Sequence, residues 1–169
     1  GAAAGDALTD ADENVAIGKQ ALTADTLGSR SVAIGFNTLA DQNFTTATNT
    51  YNVAMGYNAG GGVRTGVQNT LIGGLTGYQA LTSDDVGNRA VAIGAFALQN
   101  QNYATSTNGY NVAIGYNVGA NITTGVRNIA IGAFTLDADT LGQRSVAIGY
   151  AALGGQNFTT ATDTHNTAV

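Results

Sequence analysis

The chain contains no cysteine, proline or tryptophan, only one histidine, and few charged residues. Without cysteine, neither a disulfide nor a thiolate metal site can form. Six Lys and Arg residues against eleven Asp and Glu give a formal net charge of −5. So few cations form no phosphate-binding surface, so we expect no nucleic-acid partner. No apolar run approaches the ~20 residues that a membrane helix needs, so we do not expect this segment to be membrane-embedded.

A five-residue motif, Asn or Ser followed by Val-Ala-Ile-Gly or a close variant, recurs along the 169 residues. Successive motif glycines are 17 or 21 residues apart, and they are Gly18, Gly35, Gly56, Gly73, Gly94, Gly115, Gly132 and Gly149. A repeat period of about 20 residues predicts a solenoid, and the alternation within Val-Ala-Ile predicts strands. We therefore expect residues 1–169 to form a single all-β domain, a parallel β-solenoid or β-roll. Partial copies at both ends indicate a fragment of a longer repeat array.

Stacking of the coils places equivalent residues above one another, about 4.8 Å apart. The isoleucine before each motif glycine is expected to form an inner apolar ladder, together with leucines four residues after the glycine. These isoleucines are Ile17, Ile34, Ile72, Ile93, Ile114, Ile131 and Ile148. The asparagine that opens the motif is expected to form a polar ladder through bonds to its own backbone and to stacked copies. These asparagines are Asn14, Asn52, Asn69, Asn111 and Asn128.

The alanine in the middle of the motif lies on the opposite strand face from Val and Ile. A face meant for water would carry polar residues, so a strip of small apolar side chains predicts close packing against another chain. Coils of this size enclose little volume, and a symmetric homo-oligomer would supply the missing apolar contact. The predicted interface residues are Ala16, Ala33, Ala54, Ala92, Ala113, Ala130 and Ala147.

The longest loops between strands combine aromatic residues with Thr, Asn and Gln. Aromatic rings and amides together stack against and hydrogen-bond sugars, so these loops are candidates for glycan binding. The candidate binding residues are Phe44, Tyr51, Tyr103, Tyr110 and Phe158. The alternative is that these aromatics cap the roll or fill a subunit interface.

Residues that support catalysis or metal binding are scarce. With His165 as the only histidine, no Cys-His pair or His-rich site can form within the chain. The repeated Asp-x-x-Gly-x-Arg, first at 25–30, is expected to be a turn held by an Asx bond and an Asp–Arg ion pair. We expect no enzyme activity, no cofactor and no metal site, although the acidic residues in 6–13 leave calcium binding open.

The repeated Asn/Ser-Val-Ala-Ile-Gly resembles the head repeats of trimeric autotransporter adhesins. The longer variants at 52–60 and 111–119 look like repeats in bacteriophage tail fibres and related surface fibres. The resemblance implies a homotrimer of left-handed parallel β-rolls in an extracellular location, on a bacterial surface or a virion. The coils here are longer than those of adhesin heads, which leaves both origins open.

On this resemblance we expect a structural and adhesive segment of a trimeric surface fibre that attaches to a host receptor or glycan. One alternative is an ice-binding solenoid, because Thr-x-Thr occurs within 46–50, 105–107 and 160–164, although only in every third coil. Another is a fibre protein that binds or degrades polysaccharides, for which the neighbouring carboxylates Asp84 and Asp85 would be candidates.

Overall fold

The computed structural model describes residues 1–77 and 87–169, which form strands and turns without a helix. Nine strands are copies of the motif segment and lie in one sheet. They are β1 (Val15–Ile17), β3 (Val32–Ile34), β5 (Val53–Met55), β6 (Thr70–Ile72), β8 (Val91–Ile93), β10 (Val112–Ile114), β11 (Ile129–Ile131), β13 (Val146–Ile148) and β15 (Thr167–Ala168). The predicted all-β class is therefore confirmed.

All neighbouring strands of this sheet are parallel, and equivalent positions of the motif pair with one another. Ala33, for example, pairs with Ala16 on one side and with Ala54 on the other. The chain therefore makes one complete coil between each strand of this sheet and the next. This arrangement confirms the predicted parallel β-solenoid.

Six further strands of two residues each form three separate two-stranded sheets elsewhere in the coils. The pairs are β2 (Gly28–Ser29) with β4 (Thr48–Asn49), β7 (Gly87–Asn88) with β9 (Thr107–Asn108), and β12 (Gly142–Gln143) with β14 (Thr162–Asp163). These small parallel sheets give the solenoid a slower period of three coils.

The corners of each coil are built from residues with a left-handed backbone conformation. Three positions with positive φ recur there besides the motif glycine: five residues before it, and two and four residues after it. Arg30, Asn37 and Leu39 occupy them in one coil, with φ of 66°, 56° and 46°. The motif glycine of this coil, Gly35, has φ of 130°, and a Cβ on it would collide with the carbonyl oxygen of Gly56. Glycine is required there both by the backbone angle and by the close approach of the next coil.

The core lies between the alanines of the sheet and the leucines of the corners, so the predicted orientation of the strands is wrong. The alanines predicted to contact another chain point into their own coil, where all except the partly buried Ala16 are at most 1% exposed: Ala33, Ala54, Ala92, Ala113, Ala130 and Ala147. The isoleucines predicted to form the inner ladder point outward. Ile17 and Ile148 are exposed, and the others are half-buried: Ile34, Ile72, Ile93, Ile114 and Ile131.

The thinness of the coil explains this reversal. Corner leucines such as Leu39 and Leu98 already fill the interior, so only a methyl group fits opposite them. Strand β6 shows the compensation directly, because it carries Leu71 in place of alanine and has glycines instead of corner leucines beside it. A Cβ on Gly60 would lie 2.7 Å from a methyl carbon of Leu71, and one on Gly77 would lie 2.9 Å from the other.

The motif asparagines join successive coils through the backbone. Asn128 is 1% exposed, and its Nδ2 donates to the carbonyl oxygen of Gly142 at 2.9 Å. Its Oδ1 accepts from the backbone N–H of Ser145, also at 2.9 Å. The same pair of bonds is made by Asn14, Asn52, Asn69 and Asn111. The asparagines thus form a polar column whose partners are backbone groups of the next coil, and for Asn52 and Asn111 the donor is the backbone N–H of the stacked asparagine, Asn69 or Asn128.

Candidate functional site

The outward side of the nine-stranded sheet is apolar and accessible to solvent, and we call it the apolar face. It consists of the first and third side chain of each strand, mostly Val and Ile. Val15, Ile17, Met55, Ile129 and Ile148 are between 38% and 57% exposed. Nine strands spaced about 4.8 Å apart give this face a length of roughly 38 Å. An exposed apolar strip of this extent indicates an interaction surface.

A row of aromatic side chains follows the ends of these strands. This aromatic row consists of Phe36, Tyr57, Phe96, Tyr116, Phe134 and Tyr150. The rings of Phe36 and Tyr57 are stacked with centroids 5.5 Å apart, and those of Tyr116 and Phe134 meet edge to face at 5.4 Å. Tyr150 is 79% exposed. Because each ring comes one or two residues after a motif glycine, the row borders the apolar face.

A second column precedes the starts of the same strands, at the residue before each motif copy. This arginine column consists of Glu13, Arg30, Tyr51, Gln68, Arg89, Tyr110, Arg127, Arg144 and His165, all with positive φ. It contains four of the six Lys and Arg residues of the chain. Because these residues immediately precede the motif strands, the column lies along the edge of the apolar face where the strands start.

Neighbours within the arginine column hold one another in place. Arg30 donates from Nε to Glu13 and from Nη1 to the Tyr51 hydroxyl, each at 2.8 Å. The Arg30 guanidinium carbon also lies 5.7 Å from the Tyr51 ring centroid, within the range of a cation–π contact. The bonds to Glu13 and Tyr51 raise the pKa of Arg30. The equivalent contacts recur in the next repeat among Arg89, Gln68 and Tyr110.

The five aromatics predicted to bind a ligand fall into different environments. The prediction is wrong for Phe44 and Tyr103, which are 6% and 3% exposed and fill the interior of their coils. Phe158, the equivalent residue in the following repeat, is half-buried. Tyr51 and Tyr110 are 48% and 44% exposed, so they are accessible to a partner. The structure therefore brings only these two together with other exposed side chains, in the arginine column.

In the described copies of the repeated Asp-x-x-Gly-x-Arg, the aspartate is buried inside the coil, where it binds backbone groups. The buried carboxylate of Asp25 accepts from the backbone N–H groups of Gly28 and Phe44, each at 3.1 Å. The predicted Asx bond is present, but the arginine of this motif pairs elsewhere, since Arg30 contacts Glu13. Equivalent turn bonds join Asp139, Gly142 and Phe158.

The described residues include no group of three or more His, Asp or Glu side chains that could hold a metal ion. The acidic residues of 6–13 therefore do not converge on one point. Asp84 and Asp85 lie outside the described residues. Within residues 1–77 and 87–169, no helix has the length and hydrophobicity to cross a bilayer.

The Thr-x-Thr segments do not form a continuous surface. They lie at β4, β9 and β14, and each of these strands pairs only with its own two-residue partner. A flat ice-binding face would need threonines from successive coils, so this arrangement gives the ice-binding alternative no support.

Sequence reasoning missed the aromatic row, although a signal was present. An aromatic residue stands one or two positions after six of the eight motif glycines. The aromatic residue is one position after the glycine in some coils and two positions after it in others. A comparison of equivalent positions from coil to coil therefore does not reveal the row. The rings meet in space because both positions belong to the same corner.

Comparison of the chain with protein-family models, with curated proteins and with solved structures finds no match. The structural feature that supports a functional conclusion is the apolar face, with the aromatic row on one edge and the arginine column on the other.

Proposed function

We propose that this chain is a structural and adhesive segment of a trimeric surface fibre, of the adhesin-head or tail-fibre type. It acts outside the cell, attaches to a host receptor or glycan, and catalyses no reaction. In the proposed fibre, three left-handed rolls stand side by side with their apolar faces turned toward a common axis. The observation that carries this proposal is the exposure of large Val and Ile side chains on a sheet whose alanines are already enclosed by their own chain.

Another copy of the chain is the occupant that the apolar face favours. The same two side-chain positions repeat on nine strands, so three copies related by rotation about the stacking direction would match coil by coil. A closed cyclic arrangement removes all three faces from water at once. Only 10% of the residues are charged, so few ionised groups would be desolvated in the process.

Host attachment in this proposal uses loops outside the apolar face. Thr45, Thr46 and Asn49 are exposed in and just before β4, and comparable residues recur in later repeats. Hydroxyl and amide groups of this kind hydrogen-bond the hydroxyls of sugars.

Light scattering behind size-exclusion chromatography tests the assembly. We expect a mass of three times 17.0 kDa for the purified chain. The double variant Ile72→Asp, Ile114→Asp should be monomeric with an unchanged β-type circular dichroism spectrum, because each carboxylate enters the interface three times. As a control, Thr45→Asp, Thr46→Asp adds the same charge in an exposed loop and should remain trimeric. A monomeric wild-type chain, or a control that dissociates equally, would overturn the assembly.

The adhesive role has its own test. Labelled trimer is applied to a glycan array and to intact host cells, and binding is compared with that of the monomeric double variant. Multivalent binding should be lost with the trimer even if each single contact is unchanged. A trimer that binds neither surface would remove the adhesive role and leave a purely structural one.

A further inference from the structure

We infer that the arginine column of each copy packs against the aromatic row of the next copy, so that cation–π contacts join the three chains beside the apolar face. This inference rests on the proposed trimer and specifies which edges meet and which side chains hold them together.

The direction of the strands determines which edges can meet. All nine strands are parallel, so the apolar face has one edge where strands start, lined by the arginine column, and one where they end, lined by the aromatic row. Cyclic symmetry repeats a single head-to-tail contact around the axis. With the axis along the stacking direction, the starting edge of each copy therefore meets the ending edge of its neighbour at the same coil.

The chemistry of the two edges is complementary. A guanidinium is attracted to the face of an aromatic ring, and the attraction increases when water is excluded. The arginine column carries four of the six Lys and Arg residues, and the aromatic row carries six of the twelve Tyr and Phe residues of the chain. Within one chain, the Lys19 ammonium already lies 5.9 Å from the centroid of the Phe36 ring. The opposite pairing, arginine column against arginine column, would bring like charges together.

Arg127 is the arginine of the column best placed to contact a neighbouring copy. It is exposed, whereas Arg30 and Arg144 each pair with a carboxylate. Within the described part of the chain, the Arg127 side chain forms no hydrogen bond or ion pair. Phe134 follows the strand that Arg127 precedes, and Tyr116 occupies the same place in the adjacent coil. These two rings are in edge contact at the other edge of the apolar face. In the trimer, Arg127 would reach the equivalent rings of the neighbouring copy.

The first test measures the trimer dissociation constant by dilution, with light scattering as readout. Arg127→Gln should weaken the trimer roughly tenfold or more, because the lost contact is repeated three times. Arg127→Lys keeps the cation and should recover most of this loss. Arg64→Gln removes the same charge from an exposed site outside both edges and should leave the constant unchanged. Equal weakening by Arg64→Gln, or no weakening by Arg127→Gln, would overturn the inference.

The second test uses the absence of cysteine from the chain. Arg127→Cys and Phe134→Cys in one chain place a thiol on each edge of the same coil, and a short bis-maleimide should then give covalent dimers and trimers on a denaturing gel. Each single variant alone should stay a monomer on the gel, as should the pair Arg127→Cys, Thr124→Cys. Thr124 is exposed in the same coil but outside the aromatic row.

The two failures are distinguishable. A variant with trimer mass but no edge-to-edge cross-link, or with equal cross-linking of the Thr124 control, overturns the edge pairing and leaves the trimer standing. A monomeric wild-type mass overturns the trimer and the edge pairing together. Binding of a soluble oligosaccharide to Tyr116 or Tyr150 in the intact trimer would show that the aromatic row is accessible. This result would also overturn the edge pairing.

Discussion

The two sides of the nine-stranded sheet are both apolar, yet the smaller side chains are the buried ones. Ala113 is 1% exposed, while Ile17 and Met55 on the outer side are 57% and 43% exposed. Hydrophobicity alone would place isoleucine inside and alanine outside. The comparison shows that the space available in a thin coil, already filled by corner leucines, decides which side faces in. The large outer side chains are then available for a partner.

The largest loss of stability is expected in the buried column of asparagines. Asn128→Ala leaves the buried carbonyl of Gly142 and the N–H of Ser145 without partners, which should lower the free energy of unfolding by about 4 kcal/mol. Urea denaturation at constant protein concentration measures this loss. Asn121→Ala is the control: Asn121 also bridges two coils, to the carbonyl of Asp137, but it is exposed, and water can replace its bond. Similar losses in the two variants would contradict the role of burial.

The next effect compares adjacent residues on opposite sides of one strand. Leu71→Ala opens a cavity between Gly60 and Gly77 and should cost about 3 kcal/mol. This loss should be independent of protein concentration, because the cavity lies within one chain. Ile72→Ala, on the outer side, should lower the melting temperature most at high concentration, where the trimer contributes to stability. A concentration-independent loss for Ile72→Ala as large as that for Leu71→Ala would contradict the assignment of the outer face.

A smaller effect is expected for the buried hydroxyl of Tyr103, which donates to the carbonyl of Gly125 at 2.9 Å. Tyr103→Phe should cost about 1 kcal/mol at neutral pH. The coil that contains Phe44 shows that a phenylalanine fits at the equivalent place. Unfolding of this variant by urea, followed at several pH values, measures both this cost and the pH dependence described next.

Burial raises the pKa of Tyr103 above its ordinary value, although a hydrogen bond with Asn111 acts in the opposite direction. Above about pH 10 the unfolded chain releases this proton while the folded chain keeps it, so wild-type stability should fall by up to about 1.4 kcal/mol per pH unit. Tyr103→Phe lacks this contribution, so the advantage of the wild type should disappear near pH 11. A constant difference between the two proteins from pH 7 to 11 would contradict it.

The smallest effect is expected on the outer side of a single chain. In the monomeric Ile72→Asp, Ile114→Asp background, Val112→Thr should change the free energy of unfolding by less than about 0.5 kcal/mol. Val112 contributes to the apolar face, and its added hydroxyl stays in water when no neighbour covers it. A loss above about 2 kcal/mol would place this side chain in the interior.

Much of the coil could be predicted from the sequence, because its signals are local. The recurrence of glycine predicted where each coil turns, and the alternation in 32–34 predicted a strand with Val32 and Ile34 on one side. Alternation is symmetric, however: it states that Ala33 lies on the other side and does not state which side is inside. That choice depends on Leu39, which packs from across the coil.

The candidate site was predictable only in part for a related reason. Tyr51 and Phe44 are both aromatic and close in sequence, yet the first is exposed at a left-handed corner and the second is enclosed. Their difference depends on neighbours from other coils, such as the Arg30 guanidinium beside Tyr51 and the Asp25 turn beside Phe44. No pattern within a single coil contains that information.

By itself, the sequence determined the all-β class, the parallel stacking and the positions of strands and turns, because these follow from a period and from backbone preferences within each coil. Only the tertiary structure decided which side of the sheet is buried, which aromatics are accessible, and that an apolar face lies between an arginine column and an aromatic row. These features arise from packing between coils, where the volume of the side chains across the interior determines what each position can hold.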